Sequence, residues 1–320
     1  TAVREARERV RSALLAQGFP YPDRRITINL APAELPKQGS RFDLAVALAI
    51  LAASGVVPQE ALARHEPVTE LGLDGTLRPV PALLSAASAA ARHQRPIVTA
   101  PAGAALAALD PGAAVLPARD LAAVVAHLRG EIALPREAVA LPLAREPEEG
   151  PLFEDVRGQA AAKRALLVAA AGGHNVLLHG PPGTGKTLLA SRFTLLLPPL
   201  TEAEALEVAR IRSLDPLPAD ETSGVARATP LEPFRRPFRS PHHSASAMAL
   251  IGGGGPDPRP GEVTRAHHGV LFLDELPEFD RRALDMLRQP LETGRVHLAW
   301  TRFRVTWPAR FQLVAAMNPC

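Results

Sequence analysis

Apolar residues recur at helical spacing in the opening segment, Val3, Val10 and Leu14 with Arg and Glu between them, and the pattern stops at Gly18 ahead of Pro20 and Pro22. That predicts an amphipathic helix. The β-branched alternation of Arg25-Ile26-Thr27-Ile28-Asn29-Leu30 predicts a strand, and the apolar run from Asp43 to Ala53, closed by Gly55, a buried helix. Val68 to Leu73 turns at Asp74-Gly75 into Leu77 to Val80, a hairpin signature. An alanine-rich helix from Pro81 to Ala91 and a strand at Ile97 to Thr99 complete a first α/β unit. Leu134 to Pro151 is rich in Pro and Glu and reads as a linker. Beyond it, helix and strand alternate as a parallel sheet requires: helix Gln159 to Ala171, strand Asn175 to His179, helix Lys186 to Leu197, and later strands Val270 to Leu273 and Phe311 to Ala316. The domains expected are therefore 1–133, a linker at 134–151, and 152–320.

A chain of 320 residues has room for about two domains. With 47% hydrophobic and 22% charged residues it is globular rather than disordered. Its longest weakly polar run, the 14 residues from Leu44 to Val57, is shorter than the roughly 18 to 20 of a membrane span. No membrane partner is expected. A lone cysteine, Cys320, forbids an internal disulfide and points to the cytoplasm. The start at Thr1, followed by the charged Arg4 to Arg9, lacks the apolar core of a signal peptide and suggests a truncated beginning. The net charge of +3 is small, yet only three of the 36 basic residues are lysines, Lys37, Lys163 and Lys186, so each lysine is informative.

Gly180-Pro181-Pro182-Gly183-Thr184-Gly185-Lys186-Thr187 has the spacing G-x-x-x-x-G-K-[ST], between the apolar Val176-Leu177-Leu178 and the helical Leu188-Leu189-Ala190. Glycines let backbone N–H groups turn inward around phosphate oxygens at the start of a helix. Gly180 to Leu188 is the expected nucleotide-binding set, with Lys186 neutralising the β- and γ-phosphates and Thr187 ligating Mg²⁺ through its hydroxyl. Val270-Leu271-Phe272-Leu273-Asp274-Glu275 is an apolar strand ending in two acids. Asp274 is the candidate for the Mg²⁺ water shell and Glu275 for polarising the attacking water. Two acids after a strand also suit a helix N-cap. Asn318 ends a third apolar strand, where it would hold the water or the γ-phosphate between the other two; a strand-ending Asn is also a common turn residue.

These residues together resemble the AAA+ ATPases, with GPPGTGKT at 180–187, VLFLDE at 270–275 and AAMN at 315–318 in the place of sensor 1. Arg236 to Ser246 (RPFRSPHHSAS), Ile251 to Gly254, Pro260 to Val263 and Glu275 to Phe279 narrow the resemblance to the magnesium-chelatase-like branch. Ile26 to Ala33 and Leu35 to Leu44 are similar to the amino-terminal domain of its ComM/YifB family. The resemblance implies an α/β chain with a Lon protease-like (ribosomal S5 domain 2-like) amino-terminal domain, then a P-loop AAA+ parallel-sheet core that stops before the helical lid. It also implies an arginine finger and sensor 2 beyond residue 320, and a cysteine cluster that Cys320 would begin. In the Lon-like domain the nucleophile position falls on Arg41, beside Ser40, and the lysine position near Leu84, so no Ser-Lys dyad is present and no proteolysis is expected. Lys37, Arg41 and Asp43 then read as surface charges and a helix cap, or as partner contacts.

The resemblance implies ATP and Mg²⁺ as cofactors and a homo-oligomeric, hexameric ring acting as a DNA helicase that promotes branch migration in natural transformation, on single-stranded or branched DNA. A magnesium-chelatase-type ATPase driving metal insertion with protein partners is the alternative, and a non-hydrolysing nucleotide-binding regulator is another. Residues 293–320 contain Arg295, Arg302, Arg304 and Arg310 and no acid. The alternation Val296, Leu298, Trp300, Phe303, Val305, Trp307 predicts a hairpin in which Arg302 and Arg304 would meet phosphates and Trp300 stack on a base; the same pattern fits aromatics packed on the core beneath solvated arginines. Two histidine pairs, His242-His243 and His267-His268, invite a zinc reading, but adjacent side chains are expected to point apart and no acid stands at ligand spacing.

Overall fold

The computed structural model describes residues 2–31, 39–140, 152–215, 234–253, 258–299 and 304–319. The chain divides into two compact units, Thr1–Leu141 with Arg212–Glu232, and Pro142–Ile211 with Pro233–Cys320.

In the first unit the opening helix, Ala2–Ala16, buries Val10, Ala13 and Leu14 against the helix Asp43–Ala53. A three-stranded parallel sheet has the order Glu66–Pro67, Ile97–Thr99, Val115–Pro117. The strand period of two splits its side chains: Val98 joins the core formed with Asp43–Ala53 and Leu121–Leu128, while Ile97 faces the alanine-rich helix Leu83–Arg92 and Pro101–Ala107. The hairpin is shorter than its pattern, pairing only Glu70–Leu71 with Leu77–Arg78, because Val68 donates its N–H to Val98 O (3.0 Å) and so extends the parallel sheet instead. Arg25 to Leu30, expected as a strand, joins no ladder; Ile28 and Leu30 are about half exposed, and alternation without a neighbouring chain to bond makes no strand. Asp43 is not a surface charge. It is buried and takes a bidentate ion pair from Arg9 (2.8 and 3.3 Å), which ties the two helices together. Residues of the expected linker pack on this unit too: Leu134 and Val139 lie against its cores and Glu137 N–H bonds Val115 O at 2.9 Å.

The second unit is built on a four-stranded parallel sheet, in the order Val176–His179, Gln312–Met317, Val270–Leu273, Phe238–Arg239. The strand Val270–Leu273 is wholly buried, as a continuous apolar run in a sheet covered on both faces should be. Val270 and Phe272 pack with Val314 and Ala316 against the helices Ala160–Gly172 and Lys186–Arg192. Leu271 and Leu273 face Leu250, Val263, Ala283 and Val296 on the other side. Each such large apolar side chain contributes about 1.5–3 kcal/mol on burial, and the two layers fix the strand ends in place. The helix expected to run to Leu197 ends as an α-helix at Arg192 and tightens to a 3₁₀ turn over Phe193–Leu196. Among the described residues no helix is long and apolar enough to cross a membrane.

Candidate active site

All four strands of this parallel sheet run in one direction, so their carboxyl ends meet along one edge of the sheet. The strand ending at Asn318 lies between the phosphate-loop strand and the strand ending at Asp274 and Glu275. Gly180 N–H bonds Met317 O at 3.3 Å, stitching the loop to that central strand. Gly183 and Gly185 both have φ +80°, the left-handed region that a side chain resists, and a Cβ on either would meet no atom within 4 Å. The backbone turn, not crowding, therefore demands glycine there.

Lys186 begins the helix behind the loop. Its Nζ donates to Gly180 O (2.7 Å), Pro181 O (2.9 Å) and Asn318 Oδ1 (2.9 Å), so all three ammonium donors are engaged. Thr184 Oγ1 donates to Pro181 O at 2.9 Å and closes the loop on itself. The next residue, Thr187, donates its hydroxyl to Asp274 Oδ2 at 2.7 Å across 87 positions of sequence. Pro181, Pro182 and Leu188 are exposed at the same edge. A hydroxyl and a carboxylate side by side form the all-oxygen donor set that a hard cation such as Mg²⁺ prefers, so these residues fit that ion.

Asp274 Oδ1 also accepts the N–H of Glu275 (3.0 Å), and Glu275 stands in the left-handed region at φ 52°, ψ 49°. Glu275 stands at the N-cap of the 3₁₀ turn Leu276–Glu278 without a side-chain bond to it, and neither acid caps the helix Arg281–Asp285. That task falls to Asp280, whose carboxylate accepts the N–H groups of Arg282 (2.9 Å) and Ala283 (3.1 Å). Glu275 is half exposed, and its Oε2 lies 3.1 Å from His243 Nδ1. His243 and Gln159, which donates Nε2–H to Thr184 O at 3.2 Å, are the two site neighbours that the sequence pattern does not assign. The doubled histidine and the position just ahead of the first helix are the only signals for them.

The expected hairpin is present as Arg295–Ala299 paired with Arg304–Pro308. Val296 is buried, and Leu298 and Trp307 pack beside it on the core, so at Trp307 the core-packing reading holds. Arg304 is exposed on the opposite face, across from Ala299, while Trp300 and Arg302 lie outside the described residues.

The expectation that neighbouring histidines diverge and that no acid joins them is corrected. His268 has φ 59°, a left-handed kink that turns its ring back over His267 at 3.8 Å between centroids, and the Nε2 atoms of both lie 2.8 Å from Glu207 Oε2. The three form a group of ligand type, but its proton arrangement does not suit a metal. Arg310 N–H donates to His267 Nδ1 (2.9 Å), so the neutral ring carries its hydrogen on Nε2 and donates it to Glu207. Burial, opposed only in part by Glu207, pushes His267 below the ordinary histidine range; burial would raise Glu207, but the bonds from both histidines outweigh it and hold the carboxyl low. Arg236 extends the cluster, bonding Pro198 O (2.6 Å), His268 O (2.7 Å) and Glu204 Oε2 (3.2 Å). The network fastens the helix Glu202–Arg212 near the amino ends of the strands, away from the phosphate loop.

Comparison with known proteins agrees with this architecture. Residues 152–320 match the family model described as magnesium chelatase, subunit ChlI, and residues 1–103 that of subunit ChlI of Mg-chelatase. The chain is 51% identical to the uncharacterized protein YifB of Escherichia coli, over 100% of this chain and 61% of the relative. It is 48% identical to the competence protein ComM of Haemophilus influenzae, over 99% of this chain and 61% of that one. It is 32% identical over 150 residues to Lon protease 2 of Bacillus subtilis, covering 46% of this chain and 26% of the protease. The chain thus spans about three fifths of the length of YifB and ComM. With a Lon-like amino-terminal domain and an AAA+ core whose phosphate loop, paired acids and strand-ending asparagine share one sheet edge, the chain belongs to the ComM/YifB family of magnesium-chelatase-like proteins.

Proposed function

We propose that this chain is the ATP-binding and ATP-hydrolysing part of a homo-oligomeric motor, a ring of six, that acts as a helicase on single-stranded or branched DNA and promotes branch migration in natural transformation. The observation that carries the reading is the pair of cross-strand bonds, Lys186 to Asn318 and Thr187 to Asp274, which gathers a cation, an amide, a hydroxyl and a carboxylate at one edge. Gly180 to Leu188 hold the phosphates, and Lys186 neutralises charge on the β- and γ-phosphates. Thr187 and Asp274 would hold Mg²⁺, which when bound supplies further neutralisation of phosphate charge. Glu275 accepts the proton of the attacking water as its oxygen bonds the γ-phosphorus and the bond to the bridging β,γ-oxygen breaks, leaving ADP and phosphate. Asn318, one strand over, orients the water or the γ-phosphate.

Support for DNA as the substrate is the relationship to a competence protein together with the acid-free segment 293–320 and its outward-facing Arg304. The test is ATP turnover by the full-length protein with and without single-stranded and forked DNA at two salt concentrations, beside Glu275→Gln. Salt-sensitive stimulation by DNA, absent in the variant, is expected. Turnover indifferent to every DNA leaves the ATPase reading standing and removes DNA as its substrate, in favour of metal insertion with protein partners. A protein that binds ATP without turning it over is a nucleotide-binding regulator instead.

A further inference from the structure

We propose that Gln159 is a positioning residue for phosphate binding: its side-chain amide holds the Thr184 carbonyl off the phosphate side of the loop and so aims the Gly185 N–H at a phosphate oxygen of ATP or ADP. The proposal deepens the ATPase reading and rests on it.

An anion cradle needs its N–H groups turned in and its carbonyls turned out. Among the described residues the N–H groups of Gly183, Thr184 and Gly185 bond no protein acceptor, as a cradle open to phosphate requires. The loop carbonyls are held instead. Gly180 O and Pro181 O accept from Lys186, and Pro181 O from the Thr184 hydroxyl as well. Thr184 O accepts Gln159 Nε2–H at 3.2 Å. The peptide joining Thr184 to Gly185 is planar and trans, so its C=O and N–H point opposite ways, and fixing the oxygen fixes the hydrogen. That plane needs an anchor from outside the loop. Gly185 stands at φ 80°, and a glycine tolerates either sign of φ, so the residue that permits the turn also permits the peptide to flip.

Gln159 is suited to that reach and is itself held. It occupies the position just ahead of the helix Ala160–Gly172, where a short Ser, Asp or Asn would fold back to cap the helix; Gln159 makes no cap bond and gives its amide to the loop. Its backbone stands at φ 56°, ψ 32°, a left-handed conformation that a residue with a Cβ rarely enters, directly after Gly158 at φ 66°. The kink is fastened on both sides. Gln159 O accepts the Lys163 N–H at 2.9 Å, and Lys163 Nζ donates to Phe153 O (3.1 Å) and to Val156 O. Arg192, at the far end of the helix that follows the phosphate loop, pairs with Asp155. One of the three lysines of the chain thus fixes the turn from which Gln159 reaches the loop.

Methionine matches glutamine in length and flexibility but donates nothing, and glutamate keeps the shape while setting an acceptor against the Thr184 carbonyl. In the full-length protein, Gln159→Met should raise KM for ATP, and the Kd of ATP and ADP alike, by about 10-fold, the scale of one lost hydrogen bond to a charged group. Turnover at saturating ATP should keep the wild-type kcat, and Gln159→Glu should weaken both nucleotides further. Without nucleotide, both variants should melt at the wild-type temperature. Wild-type affinity in either variant, a fall in kcat with KM unchanged, or a lowered nucleotide-free melting temperature accompanying the weaker binding each overturns the proposal. Failure of the underlying reading looks different: Lys186→Ala would then bind Mg·ATP like wild type, whatever Gln159 does.

Discussion

Lys186 gives every ammonium donor to an oxygen, two of them loop carbonyls and the third the Asn318 amide, so its long side chain is already turned to the phosphate loop. Hydrogen bonds to charged groups contribute about 1.5–3 kcal/mol each. Lys186→Ala should therefore weaken Mg·ATP binding by about 10- to 100-fold, read by titration with a fluorescent ATP analogue, and Thr187→Ala should reduce affinity only when Mg²⁺ is present. The residues of this site differ in how far the sequence reveals them. Gly183, Gly185, Lys186 and Thr187 are legible because contiguous spacing encodes the turn and its chemistry. Asp274 and Asn318 are legible because an apolar strand announces a polar end. His243 and Gln159 are not, because each reaches the site through a register or a helix start that exists only once the sheet has formed.

At the scale of elements, the strands buried on both faces and the longer helices are legible in hydrophobic period, whereas Arg25 to Leu30 has the period without the strand, because strand pairing is a property of two segments. The fastening of Glu202–Arg212 is hidden from the sequence for a related reason: His268 must adopt φ 59° before both rings can share Glu207. That cluster has a pH signature. His267 titrates below the ordinary histidine range when folded, so the native state binds fewer protons than the unfolded one as pH falls. Its stabilising contribution is complete above the unfolded value of 6.5 and is lost as pH drops through the depressed folded value; Glu207, also depressed, adds a loss of the same sign below 4.5. Melting temperature measured from pH 8 downward should thus fall below about 6.5. In His267→Asn, which keeps an acceptor for the Arg310 N–H but no titratable ring, that fall should be shallower, and an unchanged slope would assign the acid sensitivity elsewhere, with His127, lowered by burial and by its neighbour His65, the next group to replace.

Across the 320 residues of this chain a net charge of +3 produces little long-range attraction for a polyanion. Attraction of this chain for DNA is then local, and the acid-free segment 293–320 is where its basic charge is unopposed in sequence. Its hairpin divides the labour: Val296, Leu298 and Trp307 anchor one face in the core, and Arg304 extends from the other. An ion pair between Arg304 and a phosphate should appear in the salt dependence of binding, since each phosphate left without its cation takes about 0.7 from the slope of log K against log salt on a single strand. Arg304→Ala should accordingly bind single-stranded DNA more weakly at low salt and approach wild type as salt rises, with little change between base sequences, in fluorescence anisotropy titrations of the full-length protein at four or more salt concentrations. An unchanged slope would place Arg304 away from the phosphates, and wild-type binding that ignores salt altogether would leave the DNA reading without an electrostatic basis.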